Sequence, residues 1–329
     1  MSSRAAAPRN ARLPVSVIIP AFRPTYLTQA IACILSQGYE DFELIISDDC
    51  RGDEVRAIVD HFKDPRMRYV KNDGVGATAN ILNGWKLARH DLIKYLFDDD
   101  LLTPNALIDL VELCEKHPHA LLSFGHRNVV DEMGRITSEP KFVAENKTAE
   151  IPGAILRTIV ARDMRNPIGE FSNVLFNRAN GLSPDDFLSY SGFQLRMIGD
   201  VGMYLNAAHR GSVVGVGRVV GAFRRHANQF SSPAYNPLFA KSICEWELFL
   251  RGEFGLGAVK AEDALQGLAR LDRGYASWEG EMPELSVLRG GLPRLQAKIS
   301  SGDQDVFDTA FCDDWAVVDD LILKKAAMR

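Results

Sequence analysis

The stretch VSVIIPAF, Val15–Phe22, decides the fold. It is short, β-branched and almost wholly apolar, and a proline closes it. Those are the marks of a strand buried on both faces of a parallel sheet. Working outward, TYLTQAIACILSQ (25–37) sets Leu27, Ile31, Ile34 and Leu35 on one helical face. Strand and helix patterns then alternate: FELIISDD (42–49), DEVRAIVDHFKD (53–64), RMRYVKN (66–72), ATANILNGWKLAR (77–89) and DLIKYLF (91–97). This alternation predicts βαβ units, hence an α/β chain with a doubly wound, Rossmann-like, mostly parallel sheet.

Downstream, TPNALIDLVELCEKHP (103–118) predicts a helix with Thr103 as N-cap and Pro104 at the first helical position. ALLSFGHRNVVDEMGRI (120–136) reads as strand, turn and strand, and 140–166 as a long connection. EFSNVLFNR (170–178) is a further strand, the second half of FQLRMIGDVGMYLNAAHRG (193–211) a helix, and GSVVGVGRVVGAFRRH (211–226) one or two strands. Beyond Ser231 helical spacing takes over, in NPLFAKSICEWELFLRG, AEDALQGLARLDRGYASWEG and DDWAVVDDLILKKAAMR. These predict a C-terminal helical appendage.

The 329 residues are 46% hydrophobic and 25% charged, ordinary for a globular chain of one large domain or two. A net charge of −5 argues against a general nucleic-acid surface. No apolar run approaches the ~20 residues that span a bilayer. The opening MSSRAAAPRNARLP lacks the apolar segment of a secretory signal and reads as a flexible tail over 1–12. Five scattered cysteines without C-x-x-C spacing suit reduced thiols in a cytoplasmic protein, not a disulfide framework or a cysteine zinc site.

GVGATA (Gly74–Ala79) fits the dinucleotide pattern G-x-G-x-x-G/A, so an NAD-dependent oxidoreductase must be weighed. That fingerprint belongs after the first, central strand, whereas RMRYVKN is third in order and charged at both ends. The acids are more informative. Ligands of open α/β sheets bind beyond the carboxyl ends of strands, where Asp48–Asp49 follows FELIIS and Asp98–Asp100 follows LIKYLF. Hard ions such as Mg²⁺ or Mn²⁺ take carboxylate and phosphate oxygens together. The competing reading is a solvated turn whose acids favour a helix N-terminus.

PVSVIIPAFRPTYLTQAIACILSQGYEDFELIISDDC followed by NDGVGATANILNGWKLARHDLIKYLFDDDLLTPNAL resembles the bacterial family 2 glycosyltransferases over about the first 115 residues. The likeness resumes at IGDVGMYLNAA and FRRHANQFS. It implies the GT-A fold and a nucleotide-diphosphate sugar donor. By position, Pro20, Ala21 and Phe22 would line the nucleoside pocket, Asp48 would bind the base edge, most often uracil, and Asp98 would lie against the ribose. Asp99, with Asp100, would ligate the metal of the D-x-D region, although Phe97 stands where its first acid usually is. His226 resembles a histidine that completes the metal site, or is a surface residue. Arg224 and Arg225 would meet diphosphate oxygens, or are solvated charges. Asp200 matches the catalytic base, its other reading being a helix N-cap.

The resemblance implies a metal-dependent, inverting transferase, with Mn²⁺ or Mg²⁺, acting on a carbohydrate, lipid-linked glycan or protein acceptor in surface polysaccharide or glycoconjugate synthesis. Its expected organisation is a nucleotide-sugar half at 13–128, an acceptor half at 129–232 and helices at 233–329. The expected place is the cytoplasm, with contact to the inner face of the membrane. The C-terminal helices are open to an acceptor, a membrane, a second subunit as a homo-oligomer, or simple core packing. A non-catalytic sugar-nucleotide binding module would keep the Asp48 and Asp99 regions without needing Asp200.

Overall fold

The structure is a computed structural model and describes residues 13–74, 76–232, 236 and 238–327. The tail expected over 1–12 lies outside them. Strand β1 (Val15–Ala21) leads to helix α1 (Leu27–Leu35), β2 (Phe42–Asp48) to α2 (Glu54–Val59), and β3 (Met67–Lys71) to α3 (Ala77–Leu87). β4 (Leu92–Tyr95) precedes the acids, which run into the short β5 (Leu101–Leu102) and α4 (Ala106–Lys116). Then come β6 (Leu122–Val130), β7 (Ile136–Ser138), β8 (Thr148–Ile151), α5 (Gly153–Asp163) and β9 (Val174–Asn177). α6 (Asp185–Leu188), the hairpin of β10 (Ser189–Tyr190) with β11 (Phe193–Gln194), α7 (Gly199–Arg210) and β12 (Val213–Arg224) follow. Four helices end the chain: α8 (Lys241–Gly255), α9 (Ala261–Trp278), α10 (Ser286–Ser301) and α11 (Thr309–Ala327).

The main sheet has the order β3-β2-β1-β4-β9-β6-β12-β5, with β7 on β6 and β8 on β12. β3, β2, β1, β4, β6 and β12 run one way; β9 runs against them between β4 and β6. Alternation along β1 explains the double winding. Val15, Val17 and Ile19 pack with α1 and α4, whereas Ile18 packs with α3 on the other face. Gly84 of α3 lies so close to β1 that a Cβ there would come within 2.3 Å of Ile18.

Two local expectations are corrected, and one helix escapes the sequence pattern. Thr103 is not the cap of α4: Asn105 holds that position, and the Thr103 hydroxyl donates to the Val219 carbonyl. The supposed connection at 140–166 contains β8 and α5, whose mixed polarity hides their period. α10 went unread because Gly290, Gly291 and Pro293 act as breakers in an isolated helix. Here Leu288, Leu292, Leu295 and Ile299 are buried and outweigh that cost.

Candidate active site

The strand directions bring the site together. The carboxyl ends of β1, β2, β4, β6 and β12 share one edge, and the opposed β9 returns its leading residues, Glu170–Asn173, to the same edge. In-register pairing sets Ala21 beside Asp48. Pro20 and Ala21 are buried, and Phe22 emerges with 42% of its surface exposed.

The three adjacent acids point to different partners. Asp98 Oδ2 accepts the N–H groups of Phe22 and Arg23, both at 2.7 Å, and so ties the end of β4 to the end of β1. Asp100 turns inward, where Oδ1 accepts the Arg224 N–H at 3.0 Å and Oδ2 has no hydrogen-bond partner. Asp99 stays the more open and places Oδ2 3.0 Å from His226 Nε2. Burial, and then the charge of Asp99, push both Asp98 and Asp100 above the usual carboxylate range. Beneath them Lys94 is fully buried and its Nζ donates to the Ser172 carbonyl. Burial lowers that ammonium to about 7, and the nearby Asp100 charge works the other way. Divergent partners, and the raised affinity of Asp98 and Asp100 for protons, make the triplet tolerable.

Asp99 and His226 are brought together, whereas Asp100 is not gathered with them. Among the described residues, the group with three ligand atoms within 4.8 Å of one another is elsewhere. Arg224 is 3% exposed. Its guanidinium donates to the carbonyls of Asp99 and Glu132 and to Gln29 Oε1, and stacks 4.3 Å from the Tyr26 ring. Arg224 is thus a strut between β12 and the acids, with its donors spent on protein acceptors, and the exposed neighbour is Arg225.

Asp48 is fully buried and its carboxylate accepts from Tyr69 Oη (2.6 Å), Lys71 Nζ (2.9 Å) and the Cys50 N–H (2.8 Å). Asp49 is the half-buried member of the pair. It accepts from Asn72 Nδ2 and from the N–H of Gly76, whose φ is +94°. Gly76 of the glycine motif therefore spends its N–H on Asp49, the acid directly after β2.

Asp200 lies in the first turn of α7, whose cap is Ile198, so the N-cap reading fails. Its Oδ2 accepts from Asn166 Nδ2 at 2.9 Å. Burial raises its carboxyl to about 7, the charge of Glu170 adds to this, and Arg127 opposes it. Glu170 and Arg127 form an ion pair at 2.5 Å. Asn166 Oδ1 also accepts the N–H groups of Ile168 and Gly169 and shapes the approach to Glu170. Gly169 has φ +105°, and a Cβ there would meet the Arg127 guanidinium at 2.6 Å. Glu170, Arg127, Asn166 and Lys94 escaped the sequence reading. A lone acid after NPIG, an asparagine in a loop and a lysine inside an apolar strand carry no distinctive spacing.

A family model described as "Glycosyl transferase family 2" matches residues 16–173. The chain is 32% identical over 143 residues to "GalNAc(5)-diNAcBac-PP-undecaprenol beta-1,3-glucosyltransferase" of Campylobacter jejuni, covering 42% of this chain and 45% of that protein. It is 25% identical over 159 residues to "UDP-Glc:alpha-D-GlcNAc-diphosphoundecaprenol beta-1,3-glucosyltransferase WfgD" of Escherichia coli, covering 46% and 62%. It spans less than two thirds of either relative. Among solved structures, TarS 1–349 of S. aureus with UDP-GlcNAc superposes with a TM-score of 0.56. That match covers 91% of this chain and 90% of TarS 1–349 at 18% identity, which is a likeness of fold. With the acids at the carboxyl edge of a GT-A-like sheet, the match across 16–173 identifies that segment as a family 2 glycosyltransferase domain.

Proposed function

We propose that the chain is a metal-dependent, inverting glycosyltransferase of bacterial surface polysaccharide or glycoconjugate synthesis. It moves a sugar from a nucleotide-diphosphate donor, a UDP-sugar first, to a hydroxyl of a lipid-linked glycan or other carbohydrate. The observation that carries this reading is the Asp200 carboxyl, half-buried, pushed up to about 7 and oriented by Asn166, on the sheet edge that holds Asp99 and His226. The printed names of the relatives support the donor and acceptor classes.

The acceptor O–H gives its proton to Asp200 as its oxygen bonds to the anomeric carbon. The bond from that carbon to the diphosphate oxygen breaks in the same displacement, which inverts the centre. Asp99 and His226 offer a carboxylate oxygen and an imidazole nitrogen to an ion. A bound Mn²⁺ or Mg²⁺ there would offset charge on the departing nucleoside diphosphate. Phe22 and Arg23, fixed through Asp98, would hold the nucleoside end. No described helix is long and apolar enough to cross a membrane, and an acceptor on a lipid would bring the chain to a membrane face.

A thermal-shift panel of UDP-, GDP-, dTDP- and CMP-sugars with and without Mn²⁺ tests the reading. One nucleotide class should stabilise the protein, more so with Mn²⁺, and NAD(H) should not. Stabilisation by none of the four overturns the donor site. Asp98→Ala should cost about 1–2 kcal/mol in urea unfolding, because two N–H groups lose a charged acceptor. It should also weaken the nucleotide response by releasing Phe22. An unchanged response would remove Asp98 from the donor site.

A further inference from the structure

We propose that His117, His119 and Glu150 form a second metal site, for a zinc-class divalent cation, on the sheet edge opposite the acids. Two imidazole nitrogens and a carboxylate oxygen are the donor set that Zn²⁺, Co²⁺ and Ni²⁺ prefer over Mg²⁺. The three ligand atoms lie within 4.8 Å of one another. Glu150 Oε2 is 3.1 Å from His117 Nδ1, and Oε1 is 2.8 Å from His119 Nε2. Three tetrahedral ligands of zinc at their usual bond lengths stand about 3.3 Å apart, so small rotations of the side chains admit the ion.

The backbone that carries these groups is braced. His117 caps the carboxyl end of α4, where the helix dipole favours positive charge. Pro118 separates the two histidines and limits the freedom they must lose. Asn180 Nδ2 donates to the carbonyls of Pro118 and Ala120, both at 2.9 Å, and clamps the turn. Glu150 is held in β8, opposite Val214 of β12, and the Ser212 hydroxyl donates to its Oε1 at 2.6 Å. Such an outer hydrogen bond orients a ligating carboxylate. His119 is 62% exposed along its side chain, so the ion can enter from solvent.

The site joins the turn between α4 and β6 to the pair β8–β12. It lies where β6 and β12 begin, whereas the acids lie where those strands end, so it serves the frame and not the transfer. Three protein ligands leave one position for water, which marks an exchangeable site.

The test uses the full chain without a polyhistidine tag. One equivalent of Zn²⁺ that persists in His226→Ala should bind by calorimetry and raise the melting temperature, and Co²⁺ should give visible absorption typical of a tetrahedral site. His119→Gln and Glu150→Gln should each weaken Zn²⁺ binding by about 10–100-fold and leave Mn²⁺-supported transfer unchanged. His226→Ala should keep the Zn²⁺ response. No saturable Zn²⁺ binding, or the same binding in both Gln variants as in the wild type, overturns the site. Loss of the response in His226→Ala would place the ion at the acids and overturn it equally.

Discussion

Asp200→Asn is expected to lower transfer by about 10²–10⁴-fold while making the folded protein more stable above neutral pH. The two effects share one cause. Asp200 is partly buried, and desolvation pushes its carboxyl up to about 7, against about 3.9 in an unfolded chain. Between those values the native state holds a proton that the unfolded state has released. Stability from this group is therefore complete below about pH 4 and declines as pH rises through 7. Asparagine keeps an acceptor for Asn166 and never ionises, so at pH 8 it should gain on the order of a few kcal/mol. The gap in melting temperature should close on titration to pH 4. Wild-type activity should fall on the acid side of about 7, where the base is protonated. Undiminished turnover in the variant would remove Asp200 as the base, and a variant less stable at pH 8 would show that the carboxylate is not buried in apolar surroundings.

Glu245→Ala should be the most destabilising change in the C-terminal helices and should lower kcat from a distance. Glu245 on α8 is fully buried. Its carboxylate accepts the N–H groups of Arg196 (2.6 Å), Met197 (3.1 Å) and Ile198 (2.8 Å), the residues that lead into the first turn of α7 and Asp200. Removing the acceptor strands three N–H groups, a loss of about 3–5 kcal/mol by analogy with a broken buried pair. The melting temperature should fall, and kcat should fall more than the donor KM rises, if Asp200 is the base, because Asp200 is then displaced and the nucleotide edge is not. Glu245→Gln keeps one acceptor oxygen and should recover part of both. Wild-type stability and kcat in the alanine variant would show that α8 does not position the base.

The appendage is therefore tied by polar contacts to the residues that lead into α7. Glu253 of the same helix meets Arg157 of α5 at 2.6 Å and Tyr190 at 2.7 Å. Neither Glu245 nor Glu253 was legible in advance, since an acid on an apolar helix face looks like any solvated charge until a partner is seen. The helical texture of the tail was legible, because period alone reveals it.

What the sequence by itself determined is the α/β class and the strands that build the edge. VSVIIPA, FELIISD and LIKY are buried, largely apolar runs, with Asp49 directly after the second and Asp98 three residues past the third. Local chemistry suffices for that, because a strand between two helical layers must be apolar on both faces. Only the tertiary structure decided what each acid does. Asp98, Asp99 and Asp100 are neighbours in the chain, yet one ties a loop, one faces His226 and one turns inward. Glu170 reaches the edge because β9 runs against its neighbours, and His117 and His119 meet Glu150 because β8 pairs with β12. Partners 31 to 127 residues apart are set by strand order and direction, and spacing along one chain does not carry that information.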